Sequence, residues 1–317
     1  MREQNYNLAF VFPGQGSQAI GMMSELAQHF PVVEAVFAQA SQVLGFDLWK
    51  LVQEGSIETL NETCHTQPAM LAAGVAMWRV WCEQTEIRPA WMAGHSLGEY
   101  TALVCAEAIS FTDAVALVAE RSRLMQEAVP VGAGAMAAII GLHDHDVVNL
   151  CASVAEDEVV AAVNFNAPSQ VVIAGNVNAV ERAMAAAKEA GAKLVVKLPV
   201  SVPSHCILMK NAAEQLNLKL QDVTIAMPNV TLIHNVDVAA HSSTEVIRNA
   251  LKEQLFKPVR WVDSIKFMHD QGVSHFVEVG PGKVLLGLNK RIVKTALHFA
   301  MYDVESLNKV VEQLNGH

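Results

Sequence analysis

Hydrophobic positions in this chain come as short continuous runs separated by stretches of helical spacing. Leu8 to Phe12 is one such run; it stops at Pro13-Gly14-Gln15-Gly16-Ser17, and amphipathic spacing follows from about Met22. Pro31 suits a helix start, and Val32, Val33, Val36, Phe37, Ala40 and Val43 recur at helical intervals until Gly45. Pro89 to Ala93 is a second extended run, leading through Gly94-His95-Ser96-Leu97-Gly98 into a helix that carries Tyr100, Leu103 and Val104. Both places predict a strand, a glycine turn and a helix.

The rhythm changes after Pro130-Val131-Gly132-Ala133-Gly134. The pattern there predicts strand 136–142, helix 145–155, strands 158–164 and 170–174, helix 178–190 and strand 193–199. This βαββαβ series is the ferredoxin-like arrangement, which closes its own small sheet and can be inserted as a unit into a larger domain. Beyond it the spacing predicts a helix opening near His205, a strand over Val230 to Val236 and two helices flanking Pro258. A strand over Ser274 to Val279 then ends in Gly280-Pro281-Gly282. The expected fold is α/β: a large domain of residues 1–131 and 200–317 around a parallel sheet, with residues 132–199 inserted. Functional loops belong at the carboxyl ends of such strands.

Composition narrows the function class. Of 317 residues, 52% are hydrophobic and 17% charged, which excludes a disordered, collagenous or coiled-coil chain. The formal charge of -10 repels nucleic acids and anionic membrane surfaces, so neither is an expected partner. The five cysteines lack CxxC spacing, which argues against a disulfide framework or a structural zinc. The N-terminus lacks a basic n-region and a long apolar stretch, and no uninterrupted apolar run approaches spanning length. A soluble cytoplasmic protein is expected, with no metal or cofactor.

Gly94-x-Ser96-x-Gly98 between a strand and a helix is the nucleophile-elbow pattern, in which small neighbours let a serine occupy a strained, exposed turn. Ser96 is then the nucleophile, and the Leu97 N–H at the helix start can stabilise an oxyanion. A second donor could come from Gln15 in the Gly14-Gln15-Gly16 loop. Twelve histidines compete for the role of base. His95 should point away from its neighbour Ser96, and His143-Asp144-His145 reads as a solvated turn rather than a metal site. His205 follows Ser201-Val202-Pro203-Ser204 on a loop and lies C-terminal to the serine, in the hydrolase order. A triad acid would fall between them, yet Asp144, Asp146 and Asp157 lie in the insert and Asp113 opens a helix. Either a neutral acceptor such as a backbone carbonyl orients the imidazole, or the acid comes from elsewhere in the chain.

On the helix near 112–128, Arg121 shares the apolar stripe of Ala114, Leu117, Val118, Leu124, Met125 and Ala128. Arg123 and Glu127 pair on the opposite face. A guanidinium facing the core keeps its charge and must find an anion, from the protein or from a ligand. A substrate carboxylate would gain two parallel charge-assisted bonds, each on the order of 1.5–3 kcal/mol.

Together, FPGQGSQ from Phe12, TQPA from Thr66, GHSLGEY from Gly94, ERSRLMQEAVP around Arg121, NFNAPSQVVIAG from Asn164, SVPSH from Ser201, QLFKPVRW from Gln254 and VEVGPGKVL from Val277 resemble one family. It is the malonyl-CoA:acyl-carrier-protein transacylases of bacterial fatty-acid synthesis, and the likeness covers nearly the whole chain. The resemblance implies an α/β-hydrolase-like large domain with a ferredoxin-like insert, Ser96 as nucleophile and His205 as base. It also implies Arg121 as the clamp on the malonyl carboxylate, the amides of Gln15 and Leu97 as oxyanion hole, and the main-chain carbonyl near Gln254 as the orienter of His205. Asn166 would line the acyl or CoA entrance. Malonyl-CoA and an acyl carrier protein are the implied partners. The carrier is acidic in this family, so an enzyme of charge -10 needs a local basic patch, for which Lys283, Lys290, Arg291 and Lys294 are candidates. Alternatives are a serine esterase or thioesterase with Arg121 structural, a free-standing acyltransferase of a polyketide synthase, and a non-enzymatic scaffold.

Overall fold

A computed structural model describes residues 3–200 and 202–315. Its strands are β1 (Glu3–Phe12), β2 (Ile87–Gly94), β3 (Gly134–Ile140), β4 (Val160–Ala167), β5 (Gln170–Asn176), β6 (Leu194–Lys197), β7 (Thr231–Ile233), β8 (His275–Val279) and β9 (Leu297–Met301). Five of them form one parallel sheet in the order β7-β2-β1-β8-β9. The other four form an antiparallel sheet in the order β4-β5-β3-β6.

The run Leu8 to Phe12 is apolar throughout because β1 is central and covered on both faces. Its side chains alternate between two cores. Leu8, Phe10 and Phe12 pack with helices Val32–Leu44, Thr63–Gln84 and Phe111–Glu127, while Ala9 and Val11 pack with Trp261, Ile265 and Phe276 on the other side. Helix Thr63–Gln84 is buried along most of its length, which fits a first half free of acidic and basic side chains apart from His65.

All four antiparallel strands lie between 134 and 197, with helices Asp144–Val154 and Val177–Glu189 on one face around Val147, Val180, Ala183 and Ala187. The opposite face carries Met136, Val163, Val172 and Ala174 against Cys206. Edge strand β4 is hydrogen-bonded through its backbone to the rest of the chain at Val259: the Val259 N–H donates to Val163 O (2.8 Å), and the Phe165 N–H donates to Val259 O (3.0 Å).

Two expected elements differ. The helix opening near His205 begins later, as a 3-10 turn at Ile207–Met209 followed by helix Lys210–Asp222, because the chain around His205 is held in a loop. The strand expected over 230–236 is only Thr231–Ile233, since His234 and Asn235 leave the ladder to bond beneath the serine turn. No cysteine forms a disulfide among the described residues. No helix among them is long and apolar enough to cross a membrane.

Candidate active site

The site forms where the carboxyl ends of neighbouring strands β2 and β1 meet the loop that carries His205. Strand β2 ends at Gly94 and helix Gly98–Cys105 begins four residues later, so Ser96 sits on the bend with φ 52°. That left-handed backbone is strained for serine and turns its hydroxyl outward. Both glycines are required by space. A Cβ on Gly94 would lie 1.9 Å from the Gly98 carbonyl group, and one on Gly98 would lie 2.0 Å from Phe12 O. The bend is pinned by the His95 N–H donating to Phe12 O (2.9 Å) and the Ser96 N–H donating to Asn235 Oδ1 (2.8 Å). Asn235 Nδ2 donates to Gly94 O (2.7 Å), so one side chain clamps both sides of the turn.

His205 lies 2.8 Å through Nε2 from Ser96 Oγ, and its Nδ1–H donates to the Gln254 carbonyl at 2.6 Å. A carbonyl can only accept, so the proton sits on Nδ1 and leaves Nε2 free to take the serine proton. Of the two alternatives for the imidazole's orienter, the neutral carbonyl is the one present. His205 also has a positive φ of 64° and is 3% exposed. Burial, and next the Arg121 charge, push its pKa down to about 3, so the ring is a neutral acceptor at physiological pH.

Arg121 is 1% exposed, and its recorded partners are uncharged. Nη1 donates to Gln67 Oε1 (2.7 Å), Nη2 donates to Gln254 Oε1 (3.0 Å) and Ser96 Oγ (3.2 Å), and the guanidinium lies over the Tyr100 ring at 5.4 Å. Among the described residues no carboxylate pairs with it directly, and Nε has no hydrogen-bond partner. Burial lowers its pKa, yet a guanidinium remains a cation.

The remaining sequence candidates fall around this centre. Leu97 is the residue before helix Gly98–Cys105, with a buried side chain, and its N–H has no acceptor among the described residues. Gln15 is exposed on the loop after β1, its side chain accepting from Thr63 Oγ1 (3.3 Å). Asn166 on β4 accepts from His95 Nε2–H (2.7 Å), so His95 points away from the serine, as expected, and ties the turn to the antiparallel sheet. Ser201 of the SVPSH motif lies outside the described residues. His145 is exposed beside Asp146. Among the described residues one group, Glu62, Cys64 and His65, has metal-ligand geometry, on the surface and with no ion needed to explain it.

Sequence reasoning missed Gln67, Glu99, His234 and Asn235. Glu99, fully buried in the helix after the serine, bonds His234 Nδ1 through Oε1 (2.7 Å); its Oε2 accepts from the Asn235 N–H (3.0 Å) and Gln254 Nε2 (2.9 Å). The available signal was position: a His-Asn pair at the carboxyl end of a parallel strand, and a glutamate three residues after the serine.

Residues 9–309 match the acyl transferase domain family. The chain is 55% identical over 305 residues to the malonyl CoA-acyl carrier protein transacylase of Salmonella typhimurium, covering 96% of this chain and 99% of the relative. It is 42% identical over 308 residues to that of Bacillus subtilis, with 97% of each chain covered. Among solved structures, an acyl carrier protein S-malonyltransferase from Vibrio cholerae matches at TM-score 0.94 and 56% identity, covering 96% of this chain and 99% of its own. A malonyl-transacylase in complex with its type II PKS acyl-carrier protein matches at TM-score 0.96 and 54% identity, covering 97% and 99%. With its serine bend, histidine and buried arginine in one place and its length matched almost end to end, this chain belongs to the acyl transferase domain family.

Proposed function

We propose that the protein moves a malonyl group from malonyl-CoA to the phosphopantetheine thiol of an acyl carrier protein through a malonyl ester on Ser96. The observation that carries this reading is the buried Arg121 cation beside the Ser96 hydroxyl, held by neutral amides and so still in need of an anion.

His205 Nε2 takes the Ser96 proton as Oγ attacks the malonyl thioester carbonyl. The oxyanion is held by the N–H groups of Leu97 and Gln15, CoA leaves as its thiol, and the proton returns through His205. The carrier thiol then gives its proton to His205 and attacks the ester, regenerating Ser96. Arg121 holds the free carboxylate throughout by a two-pronged charge-assisted contact, which an acetyl group cannot make. Asn166 with His95 lines the entrance for the acyl chain or CoA. The relatives' names support the donor and the acceptor.

The finer architecture belongs to the same reading. The parallel sheet with its serine turn is a hydrolase-like domain of residues 1–131 and 200–317, and residues 132–199 form a ferredoxin-like insert, supported by the strand order β4-β5-β3-β6. A cytoplasmic location belongs to the same reading. Lys283, Lys290, Arg291 and Lys294 are exposed and have no acidic partner among the described residues, which suits docking of an acidic carrier. A second reading, supply of a polyketide carrier, is favoured by the relative solved with a type II PKS acyl-carrier protein.

The test is malonyl transfer to fatty-acid and polyketide carrier proteins. Wild type should load a carrier, Ser96→Ala should not, and reversing the charges of Lys290 and Arg291 should raise the carrier KM alone. Hydrolysis of malonyl-CoA at the same rate with and without carrier would instead make the protein a thioesterase.

A further inference from the structure

The mechanism above leaves a buried carboxylate unused. Glu99 is fully buried three residues after Ser96, on the first turn of the following helix, and faces under the serine bend. One of its hydrogen bonds reaches Gln254, which is itself fully buried. Gln254 Nε2 donates to Glu99 Oε2 (2.9 Å) and to Ser96 O (3.0 Å). Both acceptors are oxygens without a proton to give, so the two amide hydrogens are committed and the amide cannot turn over. Oε1 must therefore face Arg121, and it accepts from Nη2 at 3.0 Å. The same residue's carbonyl receives the His205 Nδ1–H.

The geometry points to Glu99 as a positioning residue for acyl selection: by fixing which way the Gln254 amide faces, it sets how Arg121 presents its guanidinium to the carboxylate of a charged acyl group. This rests on the proposed malonyl transfer and deepens it. A flipped amide would put Nε2 against Nη2, donor to donor, and drive the guanidinium off its position beside Ser96 Oγ. Direct pairing of Arg121 with a carboxylate would fill the fork and exclude the substrate. Placing the carboxylate one amide away orients the cation and keeps it available. His234 Nδ1 and the Asn235 N–H hold Glu99 from the far side, so its own position is determined by the end of β7. Arg121 Nη1 is fixed separately by Gln67, whose Nε2 donates to Thr63 Oγ1 (3.0 Å) and approaches Met125 Sδ (3.7 Å), so the Glu99 arm controls Nη2.

The experiment is single-turnover acylation of Ser96 by malonyl-CoA and by acetyl-CoA, followed by intact mass, in wild type, Glu99→Asp, Gln254→Met and the double variant. The Glu99→Asp change withdraws the carboxyl by one methylene and takes it out of reach of Gln254. The Gln254→Met change removes the amide at similar volume and keeps the main-chain carbonyl for His205. Each single variant should lower the ratio of malonyl to acetyl acylation by ~10- to 100-fold. The double variant should lose no more than the worse single one, because both act on the same contact. Equal losses for malonyl and acetyl would overturn the proposal, since a merely structural role weakens both, and so would losses that multiply in the double variant. If Glu99→Asp does not fold, Gln254→Met alone decides: an unchanged malonyl-to-acetyl ratio overturns the proposal. A wild type that forms no malonyl adduct would instead defeat the proposed function itself.

Discussion

At the residue scale the proposed choice of acyl group rests on Arg121. A desolvated guanidinium contacted only by amide oxygens, a hydroxyl and a ring face keeps its appetite for an anion, whereas the surface pairs of Arg123 with Glu120 and Glu127 are already satisfied. Replacing Arg121 by Met should therefore lower malonyl acylation of Ser96 by ~10²- to 10⁴-fold, the equivalent of two charge-assisted bonds at about 1.5–3 kcal/mol each. Acetyl acylation should fall by less than ~10-fold, and equal losses would make Arg121 structural. The helical stripe containing Arg121 showed in the sequence that a cation faced inward, because burial of a helix face is written in its period. Its partners were not legible: Gln67 lies 54 residues upstream and Gln254 lies 133 downstream, and nothing in a neutral amide's local pattern announces which cation it will meet.

At the scale of elements, the serine bend works because strand, turn and helix are locked by backbone contacts that leave no volume for a Cβ at Gly94 or Gly98. The strain at Ser96 is the consequence, and it is testable without activity. At φ 52° a non-glycine residue is disfavoured, so Ser96→Gly should be about 1 kcal/mol more stable than Ser96→Ala in denaturant unfolding. Equal stability would mean the bend relaxes when the hydroxyl is removed. This element was fully visible in the sequence, since Gly94-x-Ser96-x-Gly98 carries its geometry in five adjacent residues. The βαββαβ order was visible as well, its boundaries shifting by a few residues at most, because alternation and helical period are local. The end of β7 was not. His234 and Asn235 stand between Ile233 and Val236 in a stretch of strand-like pattern, and their long-range bonds to Glu99 and the serine bend, 135 to 141 residues away, stop the strand at Ile233.

The whole molecule responds to pH through buried groups that pull in opposite directions. His205 has a native pKa of about 3 against an ordinary value of 6.5, so the unfolded chain binds more protons and stability is lost as pH falls from 6.5 toward 3. His95, lowered by burial, acts in the same sense. Glu278, fully buried on β8 with Oε2 accepting from the Leu286 N–H (2.7 Å), is pushed by burial up to about 7 from 4.5. There the native state binds the extra proton, so stability is lost as pH rises from 4.5 to 7. Between 4.5 and 6.5 the contributions of His205 and Glu278 offset each other. Replacing Glu278 by Gln should unmask the histidine, and stability should then fall on acidification through that window more steeply than in wild type, by up to about 1.4 kcal/mol per pH unit. Denaturant midpoints at several pH values give both slopes; identical slopes would contradict these protonation states.

The central claim is a malonyl ester on Ser96 chosen by its free acid end. Intact-mass measurement after mixing with malonyl-CoA alone tests it most directly. The account predicts a gain of one malonyl group that is absent in Ser96→Ala and disappears when a carrier protein bearing phosphopantetheine is added. No adduct on a protein that still loads the carrier, or an adduct that survives in Ser96→Ala, would contradict it.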